Sequence, residues 1–225
     1  GKFFVVTGRD LAFVDREVFP DFKARISAEY HCMVRFETDR EPVDMVERPQ
    51  WNLVDDELKE LTAQNPSWRL RIKPFMRSLH HHLPANGSTV KQQLHDSLKT
   101  LVARLNAQTG QTVEVIDGGP IFDLKPQGPD KATAMADIMK FALGRYSGTL
   151  PLVPLYFGDS PGDLPAAHFV RENGGKFIAV GDDPRVTAIA DFRLANPAEC
   201  RALVATIAGM MPRRANTIVP PGLTP

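Results

Sequence analysis

Two carboxylates, Asp159 and Asp163, stand four positions apart in the segment GDSPGD. They follow an apolar run (Leu152, Val153, Leu155, Tyr156, Phe157) that reads as a short buried strand stopped by Gly158. In an open α/β sheet the ligand crevice lies beyond the carboxyl ends of the strands. A strand ending in G-D-x-x-x-D therefore delivers two hard oxygen donors where a divalent cation and a phosphate could sit. Mg²⁺ suits such a place, because it keeps several waters and takes one or two carboxylates together with phosphate oxygens. Asp, Ser, Pro and Gly are also ordinary turn residues, so a plain strand-to-turn joint is the competing reading. The run His80-His81-His82 is a second group with chemistry to offer. Strand alternation would put His80 and His82 on one face and His81 on the other. With no further ligand nearby in sequence, the run does not make a metal site.

The elements that must position these groups follow from apolar spacing and turn residues. Phe3–Val6 is a buried-strand pattern ended by Thr7-Gly8-Arg9, after which Asp10 caps a helix to about Val18. Arg25–Met33 reads as one strand, and the charged, proline-containing stretch Glu37–Pro49 as a crossing between domains. A helix is expected over Trp51–Ala63, strands over Trp68–Ile72 and Phe75–Leu83, and a turn at Asn86-Gly87. Ser88 can cap a helix over Thr89–Ala107, with Val90, Leu94, Leu98, Leu101, Val102 and Leu105 as its apolar stripe. Thr112–Ile116 and Pro120–Leu124 form a hairpin about Asp117-Gly118-Gly119. From Asp130 helices and strands alternate: a helix through Ala142, the strand Leu152–Phe157, a helix over Leu164–Asn173, strands Phe177–Val180 and Ala190–Leu194, and a last helix Ala198–Met210. Such alternation predicts an α/β fold with a doubly wound, Rossmann-like parallel sheet. Residues 1–37 and 127–225 form that core, and residues 38–126 are an inserted α+β domain.

Composition narrows the function classes. The 225 residues carry 27 basic and 27 acidic side chains, a formal net charge of zero. That balance gives no electrostatic case for nucleic acid or an anionic membrane. A hydrophobic share of 43% is enough for a packed core. No apolar run approaches the roughly 20 residues that span a bilayer. Gly1-Lys2 leads straight into Phe3–Val6 without a leader pattern. Cys32 and Cys200 form neither a disulfide framework nor a zinc signature, so a reduced, cytoplasmic setting is expected. The final PPGLTP reads as a frayed tail.

Six segments in order make a resemblance. The chain resembles the sugar-phosphate phosphatases of the haloacid dehalogenase superfamily, most closely the trehalose-6-phosphate phosphatase family. VVTGR (Val5–Arg9) resembles the strand ending in Ser/Thr-Gly-Arg, and SAEYHC (Ser27–Cys32) the Ala-Glu-His-Gly segment, with Glu29 in place and His31 where glycine is usual. RIKPFMRSLHHHL (Arg71–Leu83) resembles the cap strand E-x-K-x6-H-y-R through Lys73 and His80, while Arg71 and His82 depart from it. FDLKPQGPDKATA (Phe122–Ala134) resembles the E-x-R-P-x-G-x-x-K-G-x-A return from cap to core, with Lys131 on its lysine and Asp123 and Lys125 as conservative stand-ins. GDSPGD resembles GDDxTDED, from which Ser160, Leu164 and Pro165 depart. Downstream, AVGDDPRVTAIADFRLANPAEC resembles the family's closing segment.

The resemblance implies Mg²⁺-dependent hydrolysis of a sugar phosphate, trehalose 6-phosphate first, through an aspartyl-phosphate. It implies Thr7 and Lys131 as catalytic residues and Asp159 and Asp163 as metal residues, Asp163 acting through water or by orienting Lys131. Arg9, Glu29, Lys73, His80, Asp123 and Lys125 would bind substrate, residues 38–126 being the cap. Each has a structural alternative: Thr7 as a strand end, Lys131 as a solvated lysine set against the helix dipole, Glu29 and Asp123 as internal hydrogen-bond partners. The family's nucleophile motif, D-x-D-G-T, occurs nowhere in the sequence; Asp55-Asp56 lies in a helix-like stretch. The expectation is that the nucleophile strand belongs to a longer protein. The competing expectations are a phosphatase of another sugar phosphate, such as a glucosyl- or mannosyl-glycerate phosphate, and a catalytically silent relative that binds a sugar phosphate or regulates a trehalose-phosphate synthase partner.

Overall fold

A computed structural model describes residues 3–83, 89–146 and 152–210 of the chain. The Gly1-Lys2 lead, the Asn86-Gly87 turn, the Ser88 cap and the proline-rich tail lie outside the described residues. The chain opens with β1 (Val5–Val6) and α1 (Leu11–Phe13), which continues through Val14–Val18 with π-type bonding. As expected, Asp10 caps it, accepting from the Phe13 N–H at 2.8 Å. β2 (Ile26–Ala28) pairs parallel with β1, then antiparallel with β3 (Met33–Arg35). The single strand expected over Arg25–Met33 is thus two strands. They are broken at Glu29, Tyr30 and His31, whose φ values of 47°, 56° and 83° put three successive non-glycine residues in the left-handed region. β4 (Val43–Asp44) then pairs with β3, so this sheet reaches into the Glu37–Pro49 stretch.

A separate antiparallel sheet follows. It contains β5 (Arg69–Ile72) and β6 (Arg77–His80) after α2 (Asp55–Ala63), then β7 (Val113–Asp117) and β8 (Ile121–Pro126) after α3 (Thr89–Thr109). Its strand order is β5-β6-β8-β7. The expected stripe packs α3 onto it: Leu94, Leu98, Val102 and Leu105 are buried with Trp51, Leu58, Trp68, Leu79, Phe122 and Leu124, while Val90 is exposed. Burial of each such side chain is worth roughly 2 kcal/mol. Strand alternation stops at His80, and His82, beyond the strand at φ 54°, is exposed.

After β8 come α4 (Lys131–Tyr146), β9 (Leu155–Gly158), α5 (Leu164–Glu172), β10 (Lys176–Val180), α6 (Pro184–Thr187), β11 (Phe192–Leu194) and α7 (Pro197–Met210). β9 and β11 flank β10 in parallel. The fold is therefore α/β with parallel pairing, but that pairing is divided between the β1–β2 strands and the β9–β10–β11 sheet rather than gathered in one sheet. The two share a core, since Phe4, Val6 and Phe36 pack on the cluster of Met135, Ile138, Tyr156, Ala166, Ala167, Val170 and Phe177. No helix among the described residues is long and apolar enough to cross a membrane.

Candidate active site

The GDSPGD loop turns on Asp163. β9 ends at Gly158, and a capping box between Ser160 and Asp163 closes the 3-10 turn Pro161–Asp163 that enters α5. Asp163 is 4% exposed. Its Oδ1 accepts from the Lys131 ammonium at 2.6 Å and from the Tyr156 hydroxyl at 2.7 Å. Its Oδ2 accepts from the Asp159 N–H at 3.2 Å, the Ser160 N–H at 3.1 Å and the Ser160 hydroxyl at 3.0 Å. Burial alone would raise this carboxyl; the Lys131 charge and the hydrogen bonds of Lys131, Tyr156 and Ser160 outweigh it, and the net shift is downward. The strand approaches so closely that a Cβ on Gly158 would lie 2.6 Å from the Asp163 Cβ. Lys131 opens α4, where a cation is set against the helix dipole. The Asp163 carboxylate compensates for that position.

Asp159 differs. It is exposed, and its carboxylate makes no hydrogen bond or ion pair among the described residues. A carboxylate offers about four lone-pair sites. With five donors on Asp163, the oxygens left for a cation are those of Asp159. Among the described residues no three His, Cys, Asp or Glu side chains converge as a metal cage. This donor set fits Mg²⁺ held by one carboxylate, waters and a ligand's phosphate.

The other expected residues gather at a junction between the β1 loop and the antiparallel sheet. The Thr7 Oγ1 accepts from the Arg9 N–H at 3.1 Å, and the Thr7 carbonyl from the Tyr30 N–H at 3.1 Å. No hydrogen bond joins Thr7 to Lys131, Asp159 or Asp163 among the described residues. The Arg9 guanidinium lies 4.4 Å over the Phe13 ring. The Lys73 ammonium donates to the Gly8 carbonyl and to the Ser78 hydroxyl, each at 2.9 Å. Ser78 in turn donates to Asp123, and Asp123 accepts from the Tyr30 hydroxyl at 3.2 Å. The Tyr30 ring closes the circuit against Gly8, where a Cβ would sit 2.8 Å from its Cε2. Glu29, 1% exposed, accepts from the Phe75 N–H at 2.9 Å, and its Oε1 is buried without a partner. Burial pushes that carboxyl up to about 7. Lys125 uses its three N–H bonds on Glu114 and the Pro126 and Pro129 carbonyls. His80 is half-buried, and burial followed by the Arg71 charge holds its pKa below the ordinary histidine value.

Thus the structure unites Lys131, Asp159 and Asp163, and separately unites Lys73, Asp123 and the Thr7–Arg9 loop. Tyr30 stands between the groups, its phenol raised by burial first and then by Asp123, with a smaller contribution from Asp163. The sequence reading passed over Tyr30, Ser78 and Tyr156. A tyrosine inside an apolar run reads as strand filler, and nothing local announces its hydroxyl's partner.

No protein-family model and no curated protein matches the sequence. Solved structures do. A haloacid dehalogenase-like hydrolase from Bacteroides thetaiotaomicron superposes with TM-score 0.54 at 16% identity, over 92% of this chain and 86% of its own. The chain therefore has the fold of the haloacid dehalogenase-like hydrolases. Within that fold, the C-terminal domain of Candida albicans trehalose-6-phosphate phosphatase superposes with TM-score 0.69 at 19% identity, over 94% of this chain and 80% of its own. A trehalose-6-phosphate phosphatase related protein gives 0.70 at 17% identity, over 91% and 79%.

Proposed function

We propose that this chain handles the phosphoryl group in an Mg²⁺-dependent sugar-phosphate phosphatase acting on trehalose 6-phosphate. The observation that carries the reading is the Lys131–Asp163 pair, 2.6 Å apart at the mouth of β9, beside the open carboxylate of Asp159. A phosphomonoester is a concentrated anion, and a carboxylate nucleophile reaches its phosphorus only when that charge is neutralised. Lys131, oriented by Asp163, places a cation on a phosphoryl oxygen. Thr7 has its oxygen engaged by the Arg9 N–H, which leaves its O–H to donate to a second oxygen. Asp159 would hold Mg²⁺, which supplies Lewis-acid neutralisation of the phosphoryl oxygens when bound. Residues 38–126 are read as a cap whose Lys73 and His80 face the sugar and help exclude water. The solved neighbours named as trehalose-6-phosphate phosphatases support this sugar over a glycerate-linked one. A cytoplasmic setting and contact with a trehalose-phosphate synthase belong to the same reading.

The competing reading is a sugar-phosphate binder without turnover. Phosphate release from trehalose 6-phosphate by the full-length protein, with and without Mg²⁺, separates the two. Release that EDTA abolishes and that Lys131→Met lowers at least about a hundredfold supports the phosphatase. Calorimetric binding of the sugar phosphate without release supports the binder. Neither binding nor release sinks both.

A further inference from the structure

We infer that Tyr156 is a positioning residue of this site: its hydroxyl fixes the Asp163 carboxylate and, through it, the Lys131 ammonium. The geometry stands alone, while the phosphoryl group on which the ammonium acts rests on the phosphatase reading. Tyr156 and Lys131 donate to the same oxygen, Oδ1, at 2.7 and 2.6 Å. A lysine is a point charge on a flexible four-carbon stem, so an isolated Lys–Asp pair leaves its ammonium poorly defined. A phenol from a strand is different. Tyr156 is 6% exposed in the cluster that joins α4, α5 and β10, and its ring lies 6.1 Å from that of Phe177 at an interplanar angle of 30°. A buried tyrosine hydroxyl needs a partner, and Asp163 is the partner here.

Ser160 and the backbone fix Oδ2 from the other side, so the carboxylate is held at both oxygens and cannot rotate. That double hold separates the duties of the two loop aspartates. Asp163 supplies fixed charge and orientation, and Asp159 supplies the open oxygens.

The test is nitrogen-15 spectroscopy of the lysine ammonium groups on the whole chain, with Lys131 identified by the signal lost in Lys131→Met. In Tyr156→Phe, which removes one oxygen atom, the Lys131 signal is expected to shift and its exchange with water to quicken about tenfold. An unmoved signal in a folded variant overturns the inference, since a tyrosine that merely packs leaves the ammonium in place. Should Tyr156→Phe not fold, 3-fluorotyrosine labelling of the wild type decides. The chain has three tyrosines, and substitution of Tyr30 and Tyr146 by Phe identifies the signal of Tyr156. That signal must move in Lys131→Met; a fixed signal overturns the shared-oxygen arrangement. In the phosphate-release assay, Tyr156→Phe should lower kcat roughly tenfold to a hundredfold with KM unchanged. A raised KM at full kcat would also overturn it. A wild type without turnover counts against the phosphatase reading alone, and the ammonium signal then decides this one.

Discussion

Glu29, which the family resemblance sets among substrate-binding residues with an internal hydrogen-bond partner as its alternative, is buried against the Phe75 N–H with Oε1 unpartnered. Burial pushes its carboxyl from the ordinary 4.5 up to about 7 in the folded chain. The folded state therefore holds this proton more tightly than the unfolded one. The stability it contributes is complete below about 4.5 and is lost as pH rises to about 7. Glu29→Gln, which cannot ionise, should flatten the fall in stability between pH 5 and 8, by an amount on the order of 2–3 kcal/mol. Thermal melts of both proteins across that range check it. At this scale the Asp159–Asp163 pair was legible in residue type and spacing, whereas Lys131 entered only through the family resemblance. Tyr156 was not, since its hydroxyl matters only through an oxygen seven residues away across a turn.

Among elements, α3, α4, α5, α7 and the β7–β8 hairpin follow from apolar period and turn residues, and α3 buries the stripe its sequence displays; α6 was not expected, and the helix expected over Trp51–Ala63 begins only at Asp55, after a 3-10 turn at Trp51–Leu53. The break between β2 and β3 does not follow from such signals. Ser27–Cys32 alternates like a strand, and the left-handed conformation of Glu29, Tyr30 and His31 is held mainly by contacts from outside that segment. The side chain of each runs to a different element: Glu29 to the β5–β6 loop, Tyr30 to β8, and His31 to Ser27 and, at 3.0 Å, to Asp137 of α4. Non-glycine residues persist in such a backbone only where their surroundings over-determine it. β9 illustrates the opposite case, a strand whose last residue must lack a side chain. Gly158→Ala would set its methyl 2.6 Å from the Asp163 Cβ. Displacing the loop should destabilise the chain by about 1–3 kcal/mol, readable as a lower denaturant midpoint at unchanged slope.

Across the whole molecule, the parallel strands and the antiparallel sheet are joined by a short polar circuit through Gly8, Lys73, Ser78, Asp123 and Tyr30. Removing its cation should loosen the junction without melting either core. In Lys73→Met, amide exchange within residues 7–10 and 73–78 is expected to quicken about tenfold, while the α3 amides keep their protection. Equal protection throughout would show that the junction is held by packing alone. The left-handed turn also has a history in time. Its hydrogen bonds to Phe75, Asp123 and Asp137 close over 46, 93 and 106 residues of chain. Contacts of such long range form late, and the turn's own local bonds, Ser27 to His31 and the Cys32 N–H to the Glu29 carbonyl, are few beside them. Tyr30→Phe should therefore leave the refolding limb of the chevron in place and raise the unfolding rate about fivefold. On that expectation the turn is a clasp fastened last and opened first, and Tyr30 acts on the chain's lifetime in the folded state more than on its speed of folding.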